Sequence, residues 1–72
     1  MSFTMDQAMD VIETHIDALG AFQGVSAKLE VTRVVNPFSW VATLHIGGVK
    51  GVVGMAPTAS GAVKALALDL KR

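Results

Sequence analysis

Apolar residues recur at steps of three and four over the first twenty positions, then at steps of two, then at three and four again to the end. The first run is Met5, Met9, Ile12, Ile16 and Leu19, which builds one stripe on a helix of 3.6 residues per turn. Thr4 and Gln7 stand at capping-box spacing, where each side chain satisfies an orphan backbone N–H at the helix start. Gly20 follows Leu19 and is the residue type that accepts the left-handed conformation common at helix ends. The pattern predicts a helix over 5–19 and a loop over 21–24.

From Val25 the period is two. Ala27, Leu29 and Val31 point to one side, and Ser26, Lys28, Glu30 and Thr32 to the other, which describes a half-buried strand. Asn36-Pro37 breaks it, since proline donates nothing to a ladder and excludes helical backbone at the residue before it. Phe38, Trp40, Ala42, Leu44 and Ile46 then share one face of a second strand, opposite Ser39, Val41, Thr43 and His45. Gly47-Gly48 is a two-residue hairpin signal. A third strand runs from Val49 to Met55, interrupted by Gly51 and Gly54, which read as a bulge or a close backbone approach. Thr58, or Ser60, caps a last helix whose apolar face is Ala59, Ala62, Val63, Leu66, Ala67 and Leu70. Lys71 and Arg72 suit the negative end of its dipole.

The expected fold is therefore α+β in the order α-β-β-β-α, one domain over residues 1–72. Short connections make the sheet an antiparallel meander of three strands, with both helices packed on one face. Ile12, Ile16, Leu29, Trp40, Leu44, Val63 and Leu66 are expected to meet in its core.

Composition sharpens this picture. Hydrophobic residues make up 51% and charged ones 17%, so there is material for a core and no case for disorder. There is no cysteine, which removes disulfides and thiolate metal sites. Six basic and six acidic residues cancel, unlike chains held mainly by phosphate contacts. The N-terminus lacks a charged leader followed by an apolar core, and no apolar run approaches the ~20 residues that cross a bilayer. A cytoplasmic, soluble protein away from membranes is expected.

The second half of the chain resembles the double-stranded RNA-binding domain. That family's pattern runs from a Gly-Pro turn through an alternating strand and a glycine-rich third strand. It then enters its last helix through Ser/Thr-Lys-Lys-x-Ala-Lys-x-x-Ala-Ala. Here Asn36-Pro37 stands at the turn, Trp40, Leu44 and Ile46 at inward strand positions, and Gly51 and Gly54 in the glycine-rich segment. Thr58, Ala62, Leu66 and Ala67 keep the helix register, so the likeness covers roughly residues 25–70. The resemblance implies the fold. It does not carry over the RNA contacts, because Ala59, Ser60 and Val63 occupy the phosphate-binding lysine positions. The first helix, which in the family reaches the minor groove, here bears Asp6, Asp10, Glu13 and Asp17 on one stripe.

That acidic stripe is either a solvated helix face or a contact for a basic partner. No catalytic constellation, cofactor motif or metal-ligand spacing is present: His15 edges an apolar face and His45 belongs to the wet face of the second strand. Val34, Val41 and Val52 are expected on the open sheet face with Thr43 and His45, as a candidate partner surface. The third strand is expected to be a free edge with only Lys50 to discourage pairing. The expected function is a small non-enzymatic interaction module that binds a protein, or itself, through that face or edge. The alternative is a nucleic-acid binder using Lys28, Arg33, Lys50 and Lys64.

Overall fold

The computed structural model describes residues 3–35 and 38–71, so the Asn36-Pro37 break and Arg72 lie outside the described residues. Helix α1 is Met5–Gln23, strands β1, β2 and β3 are Ala27–Val34, Ser39–Ile46 and Val49–Ala56, and helix α2 is Ala59–Lys71. The strands form one antiparallel sheet in the order β1-β2-β3. This is the expected α+β topology. Among the described residues no helix is long and apolar enough to cross a membrane.

The capping box forms at the start of α1. Thr4 Oγ1 accepts from the Gln7 N–H at 3.1 Å, and the Thr4 N–H donates to Gln7 Oε1 at 2.9 Å. The other end differs from expectation. Gly20 stays helical, the helix runs on to Gln23, and Gly24 takes the left-handed turn with φ 64°. Its N–H donates to the Gly20 carbonyl at 3.2 Å, and the Val25 N–H to the Leu19 carbonyl at 3.2 Å. A helical glycine costs about 0.5–1 kcal/mol relative to alanine, too little to stop a helix when a second glycine follows four positions on. The expected loop over 21–24 is thus mostly helix, and its last turn carries Phe22, 87% exposed.

β1 and β2 pair in unbroken register from Ala27↔Ile46 to Val34↔Ser39. β2 and β3 do not. Their register shifts between Leu44 and His45, which oppose Val52 and Lys50, so Gly51 is the extra residue of a β-bulge. A methyl group on Gly51 would stand 2.9 Å from Ile46 Cδ1 and from the Leu44 carbonyl oxygen. The bulge reverses the parity of everything after it: Val52 and Gly54 turn toward the helices, while Val53 and Met55 turn away.

Gly54 is buried against α2. A methyl group there would lie 2.6 Å from the Ala62 carbonyl oxygen and would also collide with the Leu66 N–H. Helix α2 lies across β2 and β3, while α1 packs beside it and meets the sheet at β1. Thr58 is the cap of α2, accepting the Gly61 N–H on Oγ1 at 3.0 Å. The core is Ala8 and Ile12 from α1, Ala42 and Leu44 from β2, and Ala62, Val63, Leu66 and Ala67 from α2. Ile16, Leu29 and Trp40 pack against it partly buried. Four alanines among these residues keep the layers close.

Leu44→Ala should cost about 2–5 kcal/mol in a denaturant titration, because a fully buried leucine leaves a cavity between α2 and the sheet. A pair of glycine variants checks the end of α1 and the seating of α2 on β3. Gly20→Ala meets nothing within 4 Å and should leave stability equal or slightly raised, whereas Gly54→Ala should lower the melting temperature sharply. Destabilisation by Gly20→Ala would return the helix end to that position.

Candidate interaction surface

The face of the sheet away from the helices is laid out in cross-strand rows. Directly paired residues share a face. The rows there are Lys28–His45–Lys50, then Glu30–Thr43–Val53, then Thr32–Val41–Met55, then Val34–Ser39. Polarity therefore runs along the strands. At the Gly47-Gly48 end the face is charged, and His45 Nε2 lies 3.2 Å from Glu30 Oε1. Toward the opposite end Val34, Val41, Val53 and Met55 occupy neighbouring positions, with the uncharged Thr32 and Ser39 beside them. Met55 is 60% exposed and Val34 39%, so these side chains are held in water by the fold itself.

Four of the five residues expected on this face lie there: Val34, Val41, Thr43 and His45. Thr43 is only 6% exposed, because it stands on the central strand between Glu30 and Val53. Val52 is the exception. It pairs with Leu44 and packs against the core, since the Gly51 bulge turned it inward. Val53 and Met55, which pair with Thr43 and Val41, take its place on the open face. The signal that could have found them is Gly51 itself, had it been counted as an unpaired residue. Phe38, expected in the core beside Trp40, is 58% exposed and carries the Arg33 guanidinium 4.7 Å above its ring.

The third strand is a free edge as expected, but its bulge interrupts the row of groups it could offer a further strand. On the other layer, Asp6, Asp10, Glu13 and Asp17 are all exposed along α1. Asp10 also borders an open groove of about 360 Å³ between the helices, lined by Val11, His15, Leu70 and Lys71 among others. The four basic residues considered for nucleic acid do not converge. Lys28 and Lys50 flank His45 on the open face, Arg33 sits over Phe38 at the far end of β1, and Lys64 is on α2. Among the described residues no group of three His, Cys, Asp or Glu side chains is placed to hold a metal ion.

Comparison with protein-family models, with curated proteins and with solved structures yields no match.

Ala59, Ser60 and Val63, which the resemblance sets against phosphate-binding lysines, carry no charge, and Val63 is in the core. Duplex RNA of roughly 20 base pairs, longer than the ~16 such domains span, should show no salt-sensitive binding. A titration by fluorescence anisotropy at two salt concentrations checks this, and micromolar binding that weakens steeply with salt would refute it.

Proposed function

We propose that this chain is a non-catalytic interaction module, built on a fold like that of double-stranded RNA-binding domains. It binds a protein partner through the apolar half of its open sheet face. The observation that carries this reading is the gathering of Val34, Val41, Val53 and Met55 on one uncovered surface. Isolated exposed valines are ordinary, but a contiguous apolar area with a charged border matches the anatomy of protein interfaces. The border here is Lys28, Glu30, His45 and Lys50, placed at one end of the same face. A strand-borne surface is also rigid, so binding orders few side chains.

Two substitutions address that surface without touching the core. Met55→Lys and Val41→Lys should each leave the melting temperature within a few degrees of the parent, as expected for open-face positions. Each should abolish capture of whatever protein the parent retains from its source cell. Nuclease treatment before capture should change nothing. Capture that survives both substitutions would remove this face from the reading, and capture lost on nuclease treatment would transfer the function to nucleic acid.

A further inference from the structure

β1 is the second free edge of the sheet, and it was not singled out by its sequence. It pairs with β2 on one side only, over eight residues without a bulge. Its outer side therefore offers a row of N–H and C=O groups uninterrupted by a bulge, which β3 does not. Charges usually blunt such an edge by repelling a second copy. Here they are arranged otherwise. Lys28 and Glu30 flank Leu29, both on the open face and both exposed.

We propose that two copies of this chain pair β1 against β1, antiparallel about a two-fold axis at Leu29. In that register Leu29 faces Leu29, and Lys28 of each copy faces Glu30 of the other, giving two opposite-charge pairs. On the covered face Ala27 meets Val31, which is 39% exposed in the single chain. On the open face Ser26 meets Thr32. The neighbouring registers are worse. An axis at Glu30 sets Glu30 on Glu30, an axis at Lys28 sets Lys28 on Lys28, and an axis at Val31 leaves Glu30 opposite Thr32. Registers between these place inward side chains opposite outward ones, which a sheet with one buried face does not tolerate. Glu30 lies 3.2 Å from His45 Nε2 through Oε1, and its side chain is 53% exposed, which leaves it accessible to a lysine of the second copy. The two three-stranded sheets would join into one continuous sheet.

The self-complementary Lys28–Leu29–Glu30 sequence dictates the test. In sedimentation equilibrium the parent should approach twice its 7.5 kDa mass as concentration rises. Lys28→Glu alone and Glu30→Lys alone place like charges opposite each other, and each should weaken association about tenfold or more. Mixed in equal amounts, the two variants complement one another and should associate as the parent does. The double variant Lys28→Glu/Glu30→Lys should also recover parental association, which guards against a single variant that folds poorly. Met55→Lys should leave this dimer intact, so failure here is separate from failure of the open-face reading. A parent that stays monomeric near millimolar concentration, single variants that associate normally, or a mixture that stays monomeric would each overturn the proposal.

Discussion

Helix α2 rests on the sheet backbone against backbone, and it does so because Gly54 has no side chain to hold it off. The Ala62 carbonyl and the Leu66 N–H occupy space that any larger residue would claim. The contact is short and wide, since Ala62, Ala67 and Ala42 add little bulk around it. It fixes which face of β3 is covered, and through the ladder it fixes the same for β2 and β1. Burying Leu44 and Leu66 follows from it, as does the position of α1, which packs beside α2 and completes the core with Ala8 and Ile12. For a chain of this length, without disulfides, such packing must supply most of the stability.

Seating Gly54 inward sets a conflict with the hairpin. Counted from the Gly47-Gly48 turn, uniform alternation would send Gly54 outward and Met55 into the core. The bulge at Gly51 resolves it by inserting one residue, so that Gly54 reaches α2 and the ladder continues. The consequence for function is that a methionine, and not a glycine, is presented to water beside Val41. A bulge also twists the strand and breaks up β3 as a pairing edge, leaving β1 as the regular one. The exposed apolar surface is thus a by-product of how the helix had to be seated.

Most of the architecture was legible because periodicity, caps and turns agreed along the chain. Thr4 and Gln7 announced α1, Gly47-Gly48 the hairpin, and Thr58 the start of α2. What sequence did not yield has identifiable causes. The end of α1 was misplaced because two glycines compete for one left-handed position, and local propensity separates them by less than a tertiary contact. Val52 was placed on the wrong face because a bulge changes parity without changing composition. The apolar end of the open face depends on that same residue, so Val53 and Met55 became visible only with the register. Phe38 shares parity with Trp40 yet is largely exposed, so parity alone did not fix burial at this end of β2.

Cysteine labelling tests the bulge and the seating together, and the chain has no native thiol to interfere. Val52→Cys and Met55→Cys are prepared singly, and the rate of modification by a thiol reagent is compared in the folded state and in denaturant. With Gly51 unpaired and Gly54 beneath α2, Met55→Cys should react at close to its unfolded rate and Val52→Cys at least several-fold more slowly. The reverse order would mean an unbulged β3, a different covered face and no apolar surface at Met55.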